Sequence, residues 1–214
     1  MSLIVLDDKL WFPEPKKAMK DGLLAMGGDL SVERLILAYK SGIFPWYEGD
    51  IPLWWHPNPR FVLFPKDLKI SKSMKNLLLK NEFEFKINFS FLEVINNCKT
   101  AVRENQDGTW INNDFVKSYA QLHKMGIAHC AETWQNGILV GGIYGIKMGN
   151  IFFGESMFSQ KSNASKFAFI KYVEQLVSEG VVLIDCQIYT EHLESLGAQM
   201  ISRDNFMKII SKNN

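Results

Sequence analysis

The chain has 214 residues, 47% of them hydrophobic and 22% charged, with a formal net charge of +1. That balance fits one large globular domain or two small ones, and excludes both a disordered chain and a polyelectrolyte that binds nucleic acid through its global field. The three cysteines (Cys98, Cys130, Cys186) have no metal-ligand spacing and no apolar run approaches ~18 residues, which argues against a disulfide framework, a zinc site, secretion or a membrane partner and makes the cytoplasm the expected location.

Residues 1–65 carry all seven prolines and four of the six tryptophans. Phe12-Pro13-Glu14-Pro15 reads as a stiff extended segment. Gly27-Gly28-Asp29-Leu30 reads as a turn into a helix capped by Ser31, which runs to Lys40 and is ended by Gly42. An aromatic loop follows at Phe44-Pro45-Trp46-Tyr47, and Trp54-Trp55-His56-Pro57-Asn58-Pro59-Arg60 closes the segment. Rings this dense in loops either form the core of a loop-rich unit or stack on nucleic-acid bases, an interaction of about 1–3 kcal/mol per base.

From Arg60 to Lys80 the chain is basic: Arg60, Lys66, Lys69, Lys72, Lys75 and Lys80 oppose only Asp67. Lys69, Lys72 and Lys75 recur every third residue and on a helix or turn make one stripe. Such a stripe is either a solvated face or a track for a phosphate backbone.

The remainder alternates between strand and helix. Phe83–Asn88 has strand periodicity, and Ser90 caps a helix from Phe91 to Cys98. Gly108-Thr109-Trp110-Ile111 is a second aromatic loop, and a helix follows over Asn113–Met125. Ala128–Trp134 is a strand, Asn136-Gly137 a type I′ hairpin turn, and Ile138–Tyr144 the returning strand. Glycines at 141, 142 and 145 inside that strand mark a bulge or a close approach to the backbone.

A turn at Gly149 leads to Ile151–Phe153, then to the polar segment Gly154-Glu155-Ser156. Ser162-Asn163 caps a helix whose apolar positions 164, 167, 168, 172, 173 and 176 recur at helical spacing up to Gly180. Val181–Ile184 is a buried strand, and alternation beyond it puts Asp185 and Gln187 on one face with Cys186 on the other. A carboxylate and an amide there either cap neighbouring backbone or act on a ligand.

This element order predicts an α+β fold with a mostly antiparallel sheet, compatible with the fold of N-acetyltransferases. There is no Gly-x-Ser-x-Gly, HExxH, P-loop or GxGxxG signature. The four histidines, His56, His123, His129 and His192, are isolated and read as structural.

The segments GLLAMGGDLS (22–31), GIFPWY (42–47), LWWHPNPR (53–60), GTWI (108–111), LVGGIYG (139–145), GESMFS (154–159), NASK (163–166), IDCQ (184–187) and SLGA (195–198) occur together in this order. In them the chain resembles the bacterial leucyl/phenylalanyl-tRNA–protein transferases over nearly its whole length. The resemblance implies a small N-terminal α/β domain (1–62) and an acetyltransferase-like (GNAT-like) catalytic domain (63–214). It implies transfer of Leu or Phe, less well Met, from aminoacyl-tRNA to a protein or peptide beginning with Arg or Lys, marking it for degradation. An aminoacyl ester is already activated, so no cofactor is expected.

By the same resemblance Trp46 and Trp110 flank the terminal adenine, and Glu155 meets the peptide or the aminoacyl amine. Ile143, Phe169, Tyr172, Leu176 and Ile184 form the aminoacyl pocket, although Tyr172 and Leu176 stand where better-known members have phenylalanines. Lys69, Lys72, Lys75 and Lys80 are expected on the tRNA backbone. The residues matching Asp185 and Gln187 are those proposed in the family to activate the amine. A neutral amide is a very weak base. Gln187 is therefore expected to orient the amine, with Asp185 fixing Gln187 and attracting the cationic N-terminal residue.

Two other classes fit parts of the chain. An acyl-CoA N-acyltransferase requires a Gly-rich pyrophosphate cradle, for which NASK offers one short cap. An RNA-binding module accounts for the stripe and the tryptophans but leaves Asp185 and Gln187 without a purpose.

Overall fold

A computed structural model of the chain describes residues 3–101 and 110–213. Gly108 and Thr109 of the expected second aromatic loop lie outside the described residues. Strands β1 (Ile4–Leu6), β2 (Leu23–Gly27), β3 (Phe44–Pro45) and β4 (Leu53–Trp55) form a small sheet of order β1-β2-β4-β3. Helix α1 (Val32–Lys40) lies between β2 and β3 and starts as predicted, with Ser31 Oγ accepting the Arg34 N–H.

The seven-stranded sheet is built from β5 (Arg60–Leu63), β6 (Glu84–Ile87), β7 (Ala128–Gln135), β8 (Ile138–Met148), β9 (Ile151–Ser159), β10 (Leu183–Gln187) and β11 (Gln199–Ile201). Its order is β11-β5-β10-β9-β8-β7-β6, and of its neighbouring pairs only β9–β10 is parallel. The helices are α2 (Lys72–Leu79), α3 (Phe91–Thr100), α4 (Asn113–Lys124), α5 (Ala164–Ser178), α6 (Glu191–Ser195) and α7 (Arg203–Asn213). The fold is α+β with a mostly antiparallel main sheet, as the element order predicts. Strand β5 straddles the expected division at residue 62 and is an inner strand of the larger sheet.

Alternation along the strands gives the large sheet two apolar faces. Phe61, Ile143, Phe152 and Ile184 pack with Phe169, Tyr172 and Leu176 of α5. Val62, Tyr144, Phe153 and Leu183 belong to a second core, shared with Leu35 and Tyr39 of α1, Ile95 of α3, and Phe115 and Tyr119 of α4. Leu24 and Trp54 of the small sheet join that same core, so the proline-rich segment buries its rings against the large sheet. Trp54 is fully buried and donates its Nε1–H to Gly27 O at 2.9 Å. Trp55 is half-buried and donates to Trp46 O at 2.6 Å.

Local expectations fail where tertiary pairing replaces them. The polar segment Gly154-Glu155-Ser156, expected to follow a strand ending at Phe153, is part of β9, which runs on to Ser159 through pairing with Gly141–Gly145 of β8. Pairing partners decide strand identity more strongly than local polarity does. Ser90 makes no side-chain cap on α3. The buried carboxylate of Glu132 accepts the N–H groups of Phe89 (2.8 Å) and Ser90 (2.7 Å) from the neighbouring strand. Asn163, expected to cap α5, sits in the left-handed region (φ +66°) without a side-chain cap, and Ser159 Oγ takes the Ser165 N–H at 3.1 Å. The hairpin turn at Asn136 (φ +52°) and Gly137 (φ +76°) has the two positive φ angles that a type I′ turn requires.

Candidate active site

Strands β9 and β10 run in parallel register through Ile151–Leu183, Phe152–Ile184 and Phe153–Asp185, then separate. Beyond that point Gln187 pairs with Phe61 on β5, while Gly154–Ser159 pair with β8. A cavity of about 840 Å³ occupies the opening. Its walls include Gly154–Gln160, Asp185–Ile188, Trp46 and Trp110. The carboxylate–amide pair at the strand end therefore meets the two loop tryptophans around one space.

Glu155 enters this space through a β-bulge. Tyr144 pairs with Ser156 and Gly145 with Gly154, which leaves Glu155 as the extra residue on β9. A bulge re-aims a side chain and ends regular pairing. It needs room for backbone, which Gly145 supplies: a Cβ there would fall 2.2 Å from Phe153 O. The glycine-rich run had marked such a bulge.

Three donors converge on the half-buried Glu155. Tyr39 O–H donates to Oε1 at 2.7 Å, Gln187 Nε2–H to Oε1 at 2.9 Å, and Tyr119 O–H to Oε2 at 3.2 Å. The Tyr39 and Tyr119 hydroxyls also contact one another. Burial pushes the Glu155 pKa up to about 7, even though all three hydrogen bonds favour the ionised form. Both tyrosines are held well above the usual phenol range, first by burial and then by the Glu155 charge, so they remain donors.

Asp185 is fully buried and held by Arg60, whose Nε donates to Oδ1 at 2.8 Å and Nη2 to Oδ2 at 2.6 Å. The guanidinium lies between the rings of Phe44 and Phe206, with Cζ 4.6 and 4.7 Å from their centroids. Oδ1 also accepts the Gln187 backbone N–H at 3.0 Å. This turn bends β10 at Cys186 and places Gln187 at φ +65°, a region that costs a non-glycine residue energy.

The sequence expectation that Asp185 attracts a cationic substrate changes accordingly. Its charge is already matched by a buried guanidinium, so it offers no free carboxylate to a cationic substrate. It holds Gln187 through the backbone, and the Gln187 side-chain amide is held by Glu155. When Glu155 is ionised its carboxylate only accepts, so the NH2 of Gln187 faces it and the carbonyl Oε1 turns away.

Trp110 is nearly buried, with its ring edge-on to Phe115 at 5.0 Å, while Trp46 is half-buried and tilted against Trp55 at 5.5 Å. Of the five expected pocket residues, Ile143, Phe169 and Ile184 line the cavity. Tyr172 and Leu176 sit in the same apolar cluster behind them, away from the lining, with Tyr172 edge-on to Phe152. His192 lines the cavity; its pKa is lowered by burial and by nearby Lys166. His56 is buried with a pKa lowered to about 2 by burial and by Arg60 and Arg203, and therefore stays neutral.

Lys69, Lys72, Lys75 and Lys80 are all exposed, Lys72 and Lys75 on α2 and Lys80 at its C-terminal end. Lys80 pairs with Glu82 at 3.3 Å. Arg60, counted with them from sequence, is buried against Asp185 and leaves the basic surface. Sequence reasoning also passed over Tyr39 and Tyr119. Nothing in a helical apolar face distinguishes a tyrosine that packs from one that donates.

Two family models match the chain: the leucyl/phenylalanyl-tRNA protein transferase N-terminal domain over residues 28–58, and leucyl/phenylalanyl-tRNA protein transferase over residues 62–211. The leucyl/phenylalanyl-tRNA–protein transferase of Flavobacterium johnsoniae is 54% identical over 202 residues, covering 94% of this chain and 95% of that one. That of Syntrophobacter fumaroxidans is 49% identical over 214 residues, covering 100% of this chain and 92% of that one. Among solved structures, a GCN5-related N-acetyltransferase-like protein from Streptococcus suis aligns at 14% identity with a TM-score of 0.39, over 68% of this chain and 60% of that one. Full-length matches at about half identity carry the assignment: the chain belongs to the leucyl/phenylalanyl-tRNA–protein transferase family of enzymes.

Proposed function

We propose that the chain transfers Leu or Phe, and Met less well, from the 3′ end of an aminoacyl-tRNA to the α-amine of a protein beginning with Arg or Lys, so marking that protein for degradation. The observation that carries this reading is that Trp46, Trp110, Glu155 and Gln187 line the same cavity. The terminal adenine stacks with Trp46 and Trp110. The side chain of the aminoacyl group enters between Ile143, Phe169 and Ile184. Size decides acceptance there, because an apolar pocket resolves one methylene by only about 1–3 kcal/mol.

The incoming α-amine must lose a proton before it attacks. A free α-amino group has a pKa of about 7.7–8.0. Glu155, raised to about 7, is close enough to accept that proton near neutrality. Its negative charge also draws the cationic N-terminal residue, a task Asp185 cannot perform while both its oxygens bind Arg60. Gln187 Oε1 accepts an N–H of the neutral amine and aims its lone pair at the ester carbonyl. The new C–N bond forms, the bond from that carbonyl carbon to the ribose oxygen breaks, and the amine's remaining surplus proton goes to the departing ribose oxygen. Positioning of this kind supplies roughly 7–11 kcal/mol of barrier reduction when the geometry is right.

Incubation with radiolabelled Leu-tRNA and a peptide beginning with Arg tests the reading. Label appears on that peptide and not on one beginning with Glu. Parallel reactions with Phe-tRNA and Met-tRNA rank the donors. No labelled peptide, with the tRNA ester still intact, overturns the proposal.

A further inference from the structure

Gln187 is held in a backbone conformation that its side chain does not favour, and something must impose it. Asp185 does so by accepting the Gln187 N–H at 3.0 Å. Asp185 is itself fixed by a fork: the rigid guanidinium of Arg60 binds one carboxylate oxygen through Nε and the other through Nη2. A fork to both oxygens sets the plane of the carboxylate as well as its distance, which a lysine ammonium cannot do. The guanidinium is in turn clamped between Phe44 on β3 and Phe206 on α7. Arg60 and Asp185 are both fully buried, and neither Arg60 nor Phe206 reaches the cavity.

We infer that Arg60 is a positioning residue for aminoacyl transfer: through Asp185 it holds the Gln187 carbonyl where the incoming amine needs it. The inference rests on the reading that Gln187 orients the amine. A chain of contacts runs from Phe206 and Phe44 to Arg60, to Asp185, to the Gln187 backbone, and through the Gln187 amide to Glu155. The N-terminal sheet and the C-terminal helix thus both bear on the bend of β10 that presents Gln187, although neither supplies it.

The test is a double-mutant cycle on Leu transfer from Leu-tRNA to an Arg-starting peptide, with kcat and KM measured separately. Arg60→Lys keeps the charge and removes the fork. It is expected to lower kcat by about 10- to 100-fold, by analogy with the loss on altering the hydrogen-bond partner that orients a metal ligand, with KM for Leu-tRNA within about twofold. In the Gln187→Ala background the same substitution is expected to have no further effect, because the group that Arg60 positions is gone. Phe206→Leu, which loosens the clamp without touching charge, gives a smaller kcat loss that Gln187→Ala likewise abolishes; it keeps the test usable should Arg60→Lys not fold. A purely structural role for Arg60 makes the losses multiply in the double variant and overturns the inference. So does an unchanged kcat in Arg60→Lys while Gln187→Ala is slow. Full activity in Gln187→Ala overturns the reading of Gln187 itself, and the inference with it.

Discussion

The side-chain amide of Gln187 lies 2.9 Å from Glu155 Oε1 although the two residues sit on parallel strands that have already separated. Two local irregularities make the contact. Glu155 is the extra residue of a bulge against β8, and Gln187 follows a bend of β10 fixed by Asp185. Regular strands would turn these side chains along their own alternating faces, and the Gln187–Glu155 contact would be lost. The site is thus a property of where pairing breaks down, held in place by the regular pairing on either side.

The bulge at Glu155 depends on Gly145. A methyl group on that residue meets the backbone carbonyl of Phe153 and the ring of Phe152, at 2.2 and 2.5 Å, and the carbonyl is part of the sheet and cannot swing aside. Gly145→Ala is expected to cost about 3 kcal/mol of stability, at the upper end of what overpacking does. Urea unfolding measures the loss. Where the variant is still folded, transfer falls further than in Gly141→Ala, because Gly141 crowds the start of α5 and not the bulge. Equal losses at the two glycines would remove the link between this bulge and the chemistry.

The two tryptophans differ in what they support, and their alanine variants should differ in kind. Trp46 is half-buried, so Trp46→Ala is expected to raise KM for Leu-tRNA by about 5- to 150-fold, the equivalent of one stacked base, with little change in melting temperature. Trp110 is nearly buried against Phe115, so Trp110→Ala lowers both tRNA affinity and thermal stability. An unchanged KM in both variants removes the adenine from this part of the cavity.

Part of this site is legible in the sequence and part is not, for a physical reason. Asp185 and Gln187 stand out because a polar pair ends a buried apolar strand. Glycines inside a strand pattern announce a bulge, and the prolines and tryptophans of the first 65 residues announce rigid, ring-lined loops. All of these are signals within a few residues of the groups concerned. Arg60, by contrast, finds Asp185 across 125 positions, and Tyr39 finds Glu155 across 116. In sequence Arg60 is one more cation in a basic run, and only the pairing of β5 with β10 brings it under the site. Tyr172 and Leu176 differ in another way. The family resemblance assigns them to the pocket with Phe169, but their place along α5 puts them in the apolar cluster behind the cavity wall.

Binding of the tRNA body is expected to depend on salt through Lys69, Lys72 and Lys75. All three are exposed, and among the described residues no ion pair engages any of them. Each phosphate contact adds about 0.7–0.9 to the slope of log affinity against log salt. Lys72→Ala with Lys75→Ala is expected to flatten that slope by between about 1 and 2, while a short aminoacyl-nucleoside substrate reacts as before. Filter binding across a salt series reads the first effect, and an unaltered slope would place the RNA on another face.

Glu155 should set the lower pH limit of the reaction and tax the stability of the fold. Its pKa rises from 4.5 unfolded to about 7 folded, so between those values the native state binds the extra proton. Stability from this group therefore falls as pH rises from about 4.5 to about 7, then levels off. At about 1.36 kcal/mol per unit the full difference is on the order of 3 kcal/mol, an upper limit because solvent reaches part of the group. Glu155→Gln removes the ionisable group while keeping its shape. It is expected to unfold at a higher temperature than the parent at pH 8 and at nearly the same temperature at pH 4.5. Its kcat/KM should be reduced at every pH and should lose the rise near pH 7, leaving the ionisation of the peptide amine. A parent enzyme whose rate is flat between pH 6 and 8 with a peptide of low amine pKa would show that Glu155 does not take the proton.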